Sequence, residues 1–168
     1  LALNARTVAI LPSPLNNILP AQNIGLAREI VENQGLLITE YLTSPSPANF
    51  REQASRYVKR DRLQALFSDL VVLSASYSKT SLDPNNPKPD SGSRHAMEKA
   101  KEYDIKRAVI YNEDYQNNPK YDLNRQIIKE DGPQAIVINP KDIDNSLPSN
   151  LKESNGRLSI PEQVGLGF

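Results

Sequence analysis

Residues 69–75 read DLVVLSA, residues 107–111 read RAVIY, and residues 134–139 read QAIVIN. Each is a run of adjacent apolar side chains rather than an alternation of apolar and polar ones. Alternation marks a strand with one wet face. A short continuous apolar run marks a strand covered on both faces, as in a parallel sheet. Two earlier stretches have the same character, TVAIL at 7–11 and LLITEY at 36–41. Between the runs the period becomes helical. One helix is predicted from Pro20 to about Asn33, with Leu26, Ala27, Ile30 and Val31 on one face and Gly35 where a C-terminal cap belongs. A second spans about Gln53 to Phe67, with Tyr57, Val58, Leu63, Leu66 and Phe67 as its apolar positions. A third opens at Ser93 and carries Ala96, Met97 and Ala100. A fourth runs from about Pro119 to Asp131, turns Leu123, Ile127 and Ile128 inward, and ends at Gly132. Strand–helix alternation of this kind predicts right-handed crossovers. The expected fold is therefore α/β: Rossmann-like, doubly wound, with a mostly parallel sheet and helices on both faces.

Two stretches fall outside the alternation. Residues 76–90, SYSKTSLDPNNPKPD, form a polar, proline-rich loop before the third helix. From Lys141 onward the chain is mostly polar, with Pro148 and Pro161 as breakers. The organisation read from this is one Rossmann-like domain over 1–140 and a polar C-terminal arm or linker over 141–168. A chain of 168 residues suits a single core. The first clear element is already a strand of the buried type, so a preceding N-terminal portion of the domain is expected to be missing.

Composition narrows the function classes. The chain has no Cys and a single His, His95, so neither a thiolate nor a His-cluster metal site can be assembled. The absence of Cys suits a reducing, cytoplasmic setting. No apolar run approaches the roughly 20 residues that span a bilayer, and no signal peptide is visible, so no membrane association is expected. Twenty basic residues balance twenty acidic ones. Attraction to a polyanion must then come from a local patch, not from net charge.

Three loops or helix starts offer such patches, because open α/β sheets bind ligands beyond the carboxyl ends of their strands. After the first strand comes Pro12-Ser13-Pro14. Ser13 can bond a phosphate through its hydroxyl, yet the two prolines remove N–H donors, and a plain rigid turn fits equally well. Ser91, Gly92 and Ser93 open the third helix, with Arg94 beside them. Small residues at the positive end of a helix make a phosphate site, and Ser is also an ordinary N-cap. The run 51–62, REQASRYVKRDR, sets Arg51, Arg56, Lys59, Arg60 and Arg62 against only Glu52 and Asp61. Lys59 and Arg62 share one helical face, as do Arg56 and Arg60. Tyr57 among them is a candidate base-stacking surface, and a solvated helix face is the plainer reading. A lone His such as His95, in the first turn of the third helix, is more often solvated than catalytic, and no nucleophile triad or carboxylate pair is evident, so no catalytic residues are assigned.

These segments, taken in order, resemble the DNA-processing protein A (DprA, Smf) family. Ser13, Leu15, Pro20, Asn23, Leu26 and Ile30 match the family's strand, Gly-Ser-Gly-Leu-Asp-like turn, Tyr-Pro and helix. The run from Gly35 to Tyr41 matches Gly-x-Leu-Ile-Ser-Glu-Tyr, and Tyr57 to Arg62 matches Phe-Pro-x-Arg-Asn-Arg. Ser91-Gly92-Ser93 and Asn124 to Ile128 match the last two motifs, so the resemblance covers roughly 6–138. Pro12 and Pro14 replace loop glycines, Asp61 replaces an Asn, and Ser74 stands where the family usually has Glu. The resemblance implies a homodimeric, non-enzymatic module without cofactor. It would bind single-stranded DNA and assist a RecA-type recombinase in DNA uptake, recombination or repair. The DNA-binding residues would be Tyr57, Lys59, Arg60, Arg62, Ser91, Gly92, Ser93 and Arg94, with Ser13 a phosphate-loop candidate. The alternative is a nucleotide sensor, or a relative of the nucleoside-monophosphate phosphoribohydrolases (lysine-decarboxylase-like proteins). Their Pro-Gly-Gly-x-Gly-Thr-x-x-Glu is poorly matched by the residues from Pro89 to Ser93, and Glu98 lies at the wrong spacing.

Overall fold

The computed structural model describes residues 6–42, 49–86 and 92–146. Five strands and five helices follow one another as β1 (Val8–Leu11), α1 (Ile24–Glu32), β2 (Leu36–Thr39), α2 (Phe50–Leu66), β3 (Leu70–Leu73), α3 (Ser93–Glu102), β4 (Lys106–Ile110), α4 (Asp122–Asp131), β5 (Ile136–Ile138) and α5 (Ile143–Ser146). Every strand pairing is parallel. This is the Rossmann-like α/β arrangement that the apolar runs predict, with one difference. The strands form two ladders, β1–β2 and β3–β4–β5, and none joins them among the described residues. Helix α2 spans the two, packing on β1, on β3 and on α3. An apolar run reports burial and not which strand lies beside which, so the break leaves no trace in the sequence pattern. Two-sided cover is also incomplete: Val8 and Leu36, opposite one another in the first ladder, are each more than half exposed.

Two helix ends are closed by the same device. After α1 the N–H of Gly35 reaches the carbonyl of Ile30, and that of Gln34 reaches Val31. After α3 Ile105 and Asp104 do the same to Ala100 and Lys101. These are Schellman closures, and the left-handed residues in them are Gln34 (φ 61°) and Asp104 (φ 58°). The cap assigned to Gly35 thus belongs to Gln34. Gly35 serves a different need: a Cβ there would lie 2.5 Å from the carbonyl oxygen of Thr7, where the chain runs against the start of β1.

The core of the larger sheet is Leu73, Met97, Val109, Leu123 and Ile127, with Val71, Tyr111, Ile128 and Val137 packed around it. Above it lies Asn124, fully buried on α4. Its side-chain amide donates to the carbonyls of Ser74 (2.9 Å) and Ile110 (2.9 Å), just beyond β3 and at the end of β4. Its Oδ1 accepts from the N–H of Ser76 at 3.3 Å, and the Ser76 carbonyl accepts from Leu123 N–H at 3.0 Å. One side chain thereby satisfies three backbone groups where two strands stop. The loop that follows is polar as expected, yet it folds on itself: Ser76, Ser78 and Ser81 are buried, and Tyr77 donates to Asp83 at 2.7 Å. That bond holds the Asp83 carboxyl below its ordinary value. At the other end of the larger sheet Arg107 is buried and held by Asp131 and, at 3.4 Å, by Glu130. In the stretch read as a C-terminal arm, α5 packs on β5, and residues 147–168 lie outside the described residues.

Each buried backbone group left without a partner costs about 1–3 kcal/mol. Asn124→Leu, which keeps the volume and removes all three bonds, is therefore expected to destabilise the domain by at least about 3 kcal/mol. The urea midpoint at unchanged slope measures this, and a variant as stable as the parent removes Asn124 from the account.

Candidate nucleic-acid interface

Helix α2 carries most of the cations singled out in the sequence. Its start is fixed by Asn49, whose side chain accepts the N–H of Glu52 at 2.9 Å, a capping bond that sets the helix phase. With that phase Arg51, Ser55, Val58 and Lys59 are exposed and Arg62 is half exposed. The pairing of Lys59 with Arg62 on one face and of Arg56 with Arg60 on another is what the spacing predicts.

The cations differ sharply in what they hold. Arg56 is buried, its guanidinium 2.8 Å from Glu52 and 4.8 Å above the ring of Tyr41. Arg60 grips Asp61 with two bonds of 2.7 and 3.2 Å and lies 5.3 Å over the ring of Tyr57. Arg62 is ion-paired with Glu40. Arg51 and Lys59 make no ion pair with a described residue. Tyr57 has one ring face covered by Arg60 and is partly exposed. Helix α3 packs on α2 and carries Lys99, which is bonded to Glu102.

The stretch from Gly35 to Tyr41 turns out to be the mount of this helix. Thr39 donates its hydroxyl to the carbonyl of Ser13 at 2.9 Å, Glu40 takes Arg62, and Tyr41 lies under Arg56. Two segments that the sequence presents separately, 35–41 and 56–62, are thus clasped together. The signal was present as opposite charge, but nothing in the sequence says which carboxylate meets which arginine.

The remaining candidates are placed as follows. Ser13 is fully buried, and its hydroxyl accepts the N–H of Leu19 at 3.0 Å. Of its two readings the geometry supports the rigid turn, because a phosphate cannot reach a buried hydroxyl already in use. Gly92 and Ser93 are exposed at the start of α3. The cap position is Gly92, which has no side-chain bond to offer, so the serine cap is not formed by Ser93. Ser91 lies outside the described residues. Arg94 is largely buried and 3.5 Å from Glu98. An aromatic cluster that no sequence motif announces lies beyond β4: Tyr115 and Tyr121 stack at 4.1 Å, and Tyr111 meets both edge-on. Burial raises the Tyr121 hydroxyl above its ordinary value. No group of side chains that could hold a metal ion occurs among the described residues, and none of their helices is long and apolar enough to cross a membrane.

The split between buried and exposed cations has a measurable consequence. Arg56→Ala removes a buried guanidinium, its ion pair with the partly exposed Glu52 and a ring contact, and is expected to cost about 1–3 kcal/mol. Lys59→Ala, at an exposed position with no ion pair among the described residues, should stay within about 0.5 kcal/mol of the parent in the same denaturation experiment. Equal losses would mean that the two side chains are not distinguished in this way.

No curated protein matches the chain. The family model described as DNA recombination-mediator protein A matches residues 1–148, most of the sequence, and covers both clasped segments, the start of α3 and Asn124. The chain belongs to the DNA recombination-mediator protein A family, the DNA-processing family that its motifs resemble.

Proposed function

We propose that the exposed face of α2 holds the phosphates of single-stranded DNA, and that the protein, as a homodimer in the cytoplasm, presents that strand to a RecA-type recombinase. Family membership supports a role in DNA processing and recombination. The observation that carries the finer reading is the state of Lys59, an exposed cation in the middle of the family's basic motif that makes no ion pair with a described residue. Arg51 lies two turns before it and Arg62 one turn after it on the same face. Such a stripe tracks a backbone, and the partly exposed Tyr57 offers stacking without base preference.

The ion pair of Arg62 with Glu40 sets how strongly the stripe works. Both side chains are more than a third exposed, so the pair is weak and exchangeable, and a phosphate can replace the carboxylate. Arg60, whose partner Asp61 is buried, stays with its carboxylate and contributes by covering Tyr57.

Each phosphate neutralised on a single strand contributes a slope of about −0.7 in log affinity against log salt, so contacts from Arg51, Lys59 and Arg62 give roughly −2. Fluorescence anisotropy with labelled oligo-dT over a range of salt measures it. Lys59→Ala with Arg62→Ala should remove more than half of the slope, whereas Glu40→Gln should tighten binding by freeing Arg62. If wild type and the double variant bind alike, or neither binds, the face is only solvated and the DNA reading fails.

A further inference from the structure

Helix α2 opens on a phenylalanine that stands almost wholly in solvent: Phe50 is 83% exposed. Apolar side chains scattered singly over a surface need no explanation. Phe50 is not placed that way. It lies seven positions before Tyr57, close to two full turns, so both rings leave the same side of the helix, about 10 Å apart along its axis. Ala54, exposed and small, lies between them on that side. The adjoining side carries Arg51, Ser55, Lys59 and Arg62. The outer surface of α2 thus has a cationic row and, beside it, an aromatic row. The mount of Phe50 is fixed as well. Asn49, just before it, accepts the N–H of Glu52 on its side chain at 2.9 Å and that of Gln53 on its carbonyl at 3.1 Å.

We propose that Phe50 is a second base-stacking platform, so that a single DNA strand lies along α2 with its phosphates on the cationic row and its bases turned toward Phe50 and Tyr57. The inference rests on the α2 face being the DNA site, and it states which edge of the strand meets which row. A single strand has the matching chemistry, with charge along one edge and flat rings along the other. A duplex keeps its bases stacked on one another and has no free ring face for Phe50. A phenylalanine has only two side-chain torsions and this one stands on a capped helical turn, so little freedom is lost when a base settles on it. Every base has a π-face, so the platform adds affinity without sequence preference. The phosphate contacts position the strand, and the aromatic row makes binding depend on the bases themselves.

The test is fluorescence anisotropy of the full chain with two labelled oligonucleotides of equal length, oligo-dT and a strand whose sugars carry no base. Phe50→Ala should weaken oligo-dT about tenfold with the salt slope unchanged, and should bind the baseless strand as the parent does. Phe50→Trp should keep the parent's affinity for oligo-dT. Phe67→Ala, which removes another exposed phenylalanine at the far end of α2, should leave oligo-dT binding as it is. If the parent binds oligo-dT and Phe50→Ala binds it equally well, the stacking role is overturned while the α2 face stands. A loss shared equally by both oligonucleotides, or matched by Phe67→Ala, also overturns it, because the ring would then act on something other than a base. If the parent binds neither oligonucleotide, the DNA reading itself fails and this inference with it.

Discussion

Asn124 carries the constraint on which the binding end of the larger sheet depends. Parallel strands stop where their last carbonyls lose a neighbour, and any group left bare there destabilises the fold. A single buried amide meets the carbonyls of Ser74 and Ile110 and the N–H of Ser76, so β3, β4 and the loop after β3 end at one point. No apolar residue could do this, and a charged one would be buried without a counterion. With that edge closed, the chain beyond β3 turns into a loop in which Ser76, Ser78 and Ser81 are buried.

The cations on α2 show how one motif divides its labour. Arg56 is itself buried and Arg60 holds the buried Asp61, so release of either is costly, and they lie over the rings of Tyr41 and Tyr57. Arg51 and Lys59 make no ion pair among the described residues, and Arg62 holds a partner in solvent. A zero net charge is therefore compatible with a local positive face. Long-range steering is weak, and discrimination rests on where the exposed charges are mounted.

Much of the fold was legible because it is written in periods. The five apolar runs became five parallel strands, and the four long helices lie where the pattern put them, with ends shifted by a few residues as hydrogen bonding rather than hydropathy decides them. The break between the ladders was not legible, since lateral order depends on edges and not on side-chain polarity. Nor was the burial of Ser13, which depends on Thr39 and Leu19 arriving at it from other parts of the chain. At the candidate interface the residue types were legible and their states were not. Lys59 and Arg60 look alike in a string, yet one is exposed and the other is clamped by its neighbour Asp61.

The central claim is that DNA lies along the exposed face of α2. Backbone amide shifts of the isotope-labelled chain, recorded as unlabelled oligo-dT is added, locate the strand directly. The account places the largest changes at Arg51, Ser55, Lys59 and Arg62. Changes gathered instead around Tyr111, Tyr115 and Tyr121, or along α1, with α2 silent, would contradict it.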